Sequence, residues 1–91
     1  MGGGLKITEF EGMRFMMYYG DHLPMHITVI SSDDTCTIGI KDVILIDGCI
    51  PSNKLARAME WTKKYRNKLW KMWETQKFKK LPSLESKKGA K

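Results

Sequence analysis

His26-Ile27-Thr28-Val29-Ile30 and Thr35-Cys36-Thr37-Ile38-Gly39-Ile40, with the polar Ser31-Ser32-Asp33-Asp34 between them, read as two strands folded back on each other. β-Branched residues fill both runs, and such side chains fit a pleated, half-buried surface. In the second run Cys36, Ile38 and Ile40 share one face, because strand side chains alternate. A connection this short permits only antiparallel pairing, since parallel strands need long crossovers.

The same reading extends upstream. Leu5-Lys6-Ile7-Thr8-Glu9-Phe10 alternates apolar and polar, and Glu11-Gly12 ends it. Met13-Arg14-Phe15-Met16-Met17-Tyr18-Tyr19 follows as an aromatic strand with apolar side chains on both faces, as expected for a central position. Gly20-Asp21-His22-Leu23-Pro24 is a loop, and Leu23 is extended because it precedes proline. Downstream, Lys41-Asp42 turns the chain, Val43-Ile44-Leu45-Ile46 makes a short apolar strand, and Asp47-Gly48 turns it again.

After Pro51-Ser52, with Ser52 as the expected N-cap, the period changes to that of a helix. From Asn53 to about Lys77, Leu55, Ala58, Trp61, Tyr65, Leu69, Met72 and Trp73 form one apolar stripe. A helix of ~24 residues is about 36 Å long, against ~20 Å for the strands, so its far part overhangs or kinks into a second helix. The expected fold is α+β: an antiparallel meander of four to five strands with one long C-terminal helix packed on one face. Residues 1–5 are expected as a flexible start, 6–78 as a single domain and 79–91 as a disordered basic tail.

Ninety-one residues make one domain with a modest core. No apolar run is long enough to span a bilayer, and Met1-Gly2-Gly3-Gly4 has no secretory pattern, so the expected compartment is the cytoplasm. Cys36 and Cys49 have no metal-knuckle spacing and read as small hydrophobes in strands. The net charge of +6 is unevenly divided: residues 1–53 carry 3 basic against 7 acidic side chains (−4), residues 54–91 carry 13 against 3 (+10). A basic helical half suits RNA, DNA or an acidic protein, and equally a solvated helix face; the opposed halves also admit a homodimer.

Tyr18-Tyr19-Gly20-Asp21-His22-Leu23-Pro24-Met25-His26 holds both histidines. This aromatic strand with its His-x-Pro-x-His loop, the Gly48-Cys49-Ile50-Pro51 turn, and the helix bearing Trp61 and Trp73 resemble the domain-of-unknown-function 4160 family over residues 6–75. The family's motif has a second proline where this chain has Met25, and a third histidine where it has Thr28. The resemblance implies a toxin-like component of a two-gene toxin–antitoxin module, acting on RNA or translation and neutralised by a small antitoxin-like partner protein.

As residues, His22 and His26 with Asp21 suit general acid–base work on RNA, with Arg14 stabilising the phosphorane charge. The same residues equally suit a structural loop. No cofactor is expected; the one the pattern admits is a divalent metal at His22/His26, and a catalytic metal normally needs three protein ligands. Tyr19 could stack on a base. Trp70, off the apolar stripe and beside Lys68 and Lys71, is a candidate interface anchor, and Phe78 among Lys77, Lys79 and Lys80 resembles a short binding segment. The alternative to the toxin-like reading is a non-enzymatic module that binds protein or nucleic acid through the basic helix.

Overall fold

The computed structural model describes residues 3–84. Five strands, β1 (Gly4–Phe10), β2 (Met13–Tyr18), β3 (His26–Ser31), β4 (Asp34–Gly39) and β5 (Ile44–Gly48), precede two helices, α1 (Ser52–Lys64) and α2 (Arg66–Thr75). The sheet order is β1-β2-β3-β4-β5 with every neighbouring pair antiparallel, the expected meander. Glu11 and Gly12 both take positive φ (51° and 78°), which a two-residue hairpin turn of matching twist requires.

One sheet face is buried by the helices. Met13, Phe15 and Met17 of β2 lie beside Ile27 and Val29 of β3 and Cys36 and Ile38 of β4, all 0–1% exposed. Trp61 covers them, its ring 4.6 Å from that of Phe15, and Phe15 stacks on Phe10 at 5.1 Å. Among the described residues no buried side-chain polar atom lacks a hydrogen-bond partner.

The helix departs from expectation in being two pieces. The chain breaks at Tyr65 (φ −105°, ψ 17°), which caps the end of α1 and the start of α2. No proline or glycine lies there; packing accounts for the bend. A straight helix would carry Leu69, Met72 and Trp73 past the short strands, whereas the bend keeps all three buried. Ser52 is the first helical residue rather than the cap: Pro51 holds that position, and no side chain caps the helix.

β5 starts at Ile44, not Val43, because Val43 has φ +53°, a left-handed conformation that ends strand pairing. Asp47 and Gly48 belong to the strand instead of turning the chain. Gly48 is required: at φ +78°, a Cβ there would lie 2.2 Å from the Thr35 carbonyl oxygen. Cys36 is buried, and burial pushes its thiol up to about 11; Cys49 lies just past β5 and is exposed.

Two segments expected as flexible are partly ordered. Gly4 and Leu5 belong to β1. Residues 79–84 return along β1: the Leu81 amide donates to Ile7 O (2.9 Å), the Leu81 side chain is buried, and Trp61 Nε1 donates to Pro82 O (2.8 Å). The rest of the expected tail, residues 85–91, and Met1 and Gly2 lie outside the described residues.

Candidate functional site

The loop between β2 and β3 crosses one end of the sheet. Gly20 begins it at φ +71°, and the Leu23–Pro24 peptide is cis. Gln76, the left-handed residue that ends α2 (φ 59°), ties it to the helix: its Oε1 accepts the Gly20 N–H at 2.8 Å, and its Nε2 donates to Trp73 O at 2.8 Å. α2 thus runs from the β4–β5 turn, where Arg66 Nε donates to Lys41 O (2.7 Å), to the histidine loop.

The two histidines are not equivalent. His26 opens β3 with its side chain 10% exposed, its ring 5.2 Å from that of Trp73. Its Nδ1 lies 2.8 Å from Pro24 O and its Nε2 2.8 Å from Asp21 Oδ2. A carbonyl oxygen only accepts, so Nδ1 carries the hydrogen and donates. Nε2 then donates to an ionised Asp21 or accepts from a protonated one. In either state both ring nitrogens are occupied, and neither is presented to a substrate. Asp21 also accepts the His22 N–H through Oδ1 (3.0 Å), folding the loop around the carboxylate.

His22 is the exposed member, with 86% of its side chain accessible. Its ring lies 5.7 Å from that of His26, its Nε2 is 4.0 Å from Asp21 Oδ1, and its Nδ1 makes only a long 3.3 Å contact to Leu23 O. The structure therefore brings Asp21, His22 and His26 together, as a fixed pair plus one accessible imidazole. Among the described residues no three His, Cys, Asp or Glu side chains are grouped as a metal ion would need.

Arg14 is elsewhere. It is exposed near the start of β2, opposite Glu9 and Ile30, and four residues from Tyr18. At ~3.3 Å per residue that is roughly 13 Å along the strand from the loop. The geometry does not place it where a phosphorane beside His22 would form.

The binding residues expected on α2 are closer. Lys68 and Lys71 line a groove of about 430 Å³ together with Met72, Thr75, Lys77 and Lys79. Four lysines surround it, and no acidic side chain among the described residues lines it. Beside it Tyr19, 43% exposed, stacks on Phe78 with ring centroids 4.2 Å apart. Trp70 is half-buried and already engaged: Arg66 lies over its ring at 4.9 Å and its Nε1 donates to Glu74 at 3.0 Å. Sequence reasoning missed Gln76, which joins the loop to the end of α2; a polar residue ending a helix gives no sign of its partner 56 positions away.

The sequence model of the family described as "Domain of unknown function (DUF4160)" matches residues 12–74, more than half of the chain. No curated protein and no solved structure matches it. The matched region contains the whole histidine loop and most of α2.

Proposed function

The chain belongs to the DUF4160 family, and from that premise we propose that it binds single-stranded nucleic acid, RNA foremost, along α2 and the adjoining loop. The observation that carries this reading is the lysine groove beside the exposed Tyr19 ring, which stacks on the half-buried Phe78. Lys68, Lys71, Lys77 and Lys79 provide the positive lining that tracks a phosphate backbone. The Tyr19–Phe78 pair offers a ring for an unstacked base, and stacking contributes about 1–3 kcal/mol per base in such sites. The four lysines of the groove draw a polyanion to this side of the molecule.

Fluorescence anisotropy with a labelled single-stranded RNA tests it. Four phosphate contacts at ~0.7 each give an expected slope of log K on log salt near −3. Duplex RNA of the same length is expected to bind more weakly, because its bases are not free to stack. No binding at low salt, or binding with no salt dependence, would end the proposal.

A second reading is favoured by the exposure of His22 on the loop that Gln76 ties to the end of α2. In it, the protein is the toxin-like member of a two-gene module, acting on RNA or translation and held in check by a small partner protein. His22 would take the 2′-hydroxyl proton of a strand lying in the groove, and a lysine would stabilise the phosphorane. The leaving oxygen would take its proton from water, since both His26 nitrogens are bound. An RNA-cleavage assay on the native chain and on His22→Ala separates the readings: cleavage that His22→Ala abolishes supports the second, and RNA binding without cleavage supports the first.

A further inference from the structure

The sheet has two edges, and among the described residues only one is covered. At β1, residues 79–84 lie along the strand: Leu81 N–H donates to Ile7 O, and Lys80 Nζ reaches Lys6 O at 3.3 Å. At β5 no strand or segment pairs with the outer edge among the described residues. β5 is exposed along its whole length, with Ile44 52%, Leu45 38% and Ile46 42% accessible. Natural edge strands are blunted by lysine, proline or a covering element. β5 has a bulge at Ile46, where the register against β4 shifts, and Asp47 near its end, but among the described residues it has no lysine, no proline and no covering element, and its aliphatic residues are consecutive.

We propose that β5 pairs with β5 of a second copy of this chain, antiparallel about a two-fold axis through Leu45, joining two five-stranded sheets into one. The sequence of the edge is self-complementary: Ile44-Leu45-Ile46 reads the same in both directions. The axis sets Leu45 opposite Leu45 of the second copy, and Ile44 opposite its Ile46. Ile44 and Ile46 lie on the same sheet face, both within 3.6 Å of where a Cβ on Gly39 would sit, and Leu45 lies on the other face, opposite Ile38. Both faces of the joined edge thereby gain aliphatic cross-strand contacts.

Charge selects a second copy as the occupant. The end of β5 at Gly48 adjoins the start of β4, so Asp33, Asp34 and Asp47 gather there. The other end adjoins the β4–β5 turn, where Lys41, Lys63 and Arg66 border an open cleft with Asp42; Glu60, also on that cleft, is paired with Arg57. An antiparallel two-fold lays the acidic end of each copy against the basic end of the other, twice. A parallel arrangement would set like charges together. The nucleic-acid groove of α2 opens on the side of the histidine loop, so this interface is independent of the reading above.

The test is sedimentation velocity on the full chain over a wide concentration range, with hydrogen exchange of the β5 amides. Expected is a monomer–dimer equilibrium that raised salt weakens, with β5 amides protected as the dimer forms. Ile44→Lys, at an exposed position, is expected to keep the fold by circular dichroism and to weaken dimerisation by at least about tenfold. Asp47→Lys is expected to weaken it about threefold and Lys41→Asp to restore it when added to Asp47→Lys. A chain that stays monomeric at the highest concentration overturns the proposal. So does a dimer that ignores Ile44→Lys, or one whose β5 amides exchange as fast as in the monomer; either would assign association to another surface.

Discussion

The histidine loop and the lysine groove are linked through Gln76, at the end of α2, and through the Tyr19–Phe78 stack, and are built on opposite principles. In the loop, polar groups are matched to one another: Asp21 holds His26 and the His22 amide, and His26 holds Pro24 O. In the groove, four ammonium groups face solvent with no acidic side chain lining it among the described residues. The first arrangement stabilises the fold; the second has binding capacity left for a ligand. Spacing in the sequence draws attention to the histidines, yet satisfied polar groups do less for a partner than unsatisfied ones.

If this contrast holds, the largest effect on stability belongs to the buried member of the loop. His26→Ala removes two hydrogen bonds, leaves Pro24 O and the Asp21 Oδ2 without their partner, and opens a gap against Trp73. The expected loss is about 2–3 kcal/mol. For a domain of this size that lowers Tm by roughly 10–20 °C, readable by calorimetry. The folded fraction is expected to keep its RNA affinity. A variant that melts like the native chain but loses RNA would reverse the assignment of loop and groove.

The groove is expected to behave in the opposite way. Lys68→Glu with Lys71→Glu removes two favourable charges and adds two repulsive ones. RNA affinity at low salt should fall at least about tenfold, or ~1.4 kcal/mol, and the salt slope should shrink by about 1.4. Both side chains are exposed, so Tm should stay within a few degrees. Unchanged affinity would move the nucleic-acid contact away from α2.

Between these lies the joint. Gln76→Ala frees the Gly20 amide and removes a bond to Trp73 O, at an expected cost of about 1 kcal/mol. The informative signal is local: the Gly20 amide should exchange faster while the β3 amides do not. Equal acceleration across the sheet would show that Gln76 supports the fold as a whole rather than the link between loop and groove.

How much of this was legible in the sequence follows from the range of each interaction. The strands are local, so alternation in Leu5–Phe10 and β-branching in His26–Ile30 place them within a residue or so. The break at Tyr65 is not local: the residue has no helix-breaking chemistry, and the bend answers to where the strands end. Residues 79–84 read as tail because Pro82 and lysines dominate them, whereas the order comes from Ile7 and Trp61, 74 and 21 positions away in the Leu81–Ile7 and Trp61–Pro82 bonds. At the site, the proximity of Asp21, His22 and His26 was legible from spacing alone. Their division into a bound and an accessible imidazole was not, because it depends on Trp73 and on the path around Pro24. Lys68 and Lys71 were legible as a basic face; their closure into a groove with Lys77 and Lys79 requires the left-handed turn at Gln76.

The smallest effect on stability is expected at His22, and it is the most decisive for chemistry. His22→Ala removes a 3.3 Å contact to Leu23 O, a 4.0 Å approach to Asp21 and the ring contact with His26 from a side chain that is 86% exposed, so the cost should stay under about 0.5 kcal/mol. The His22 amide still donates to Asp21, and the Asp21–His26 pair is untouched. Any loss of activity in this variant therefore reads chemistry rather than folding. RNA binding within about twofold of the native chain, with no cleavage by either protein, would leave the loop as a support for the groove. Cleavage that vanishes with His22 while binding persists would make the one unsatisfied imidazole a working group, and would place it with the lysines on the solvent-facing side of the contrast.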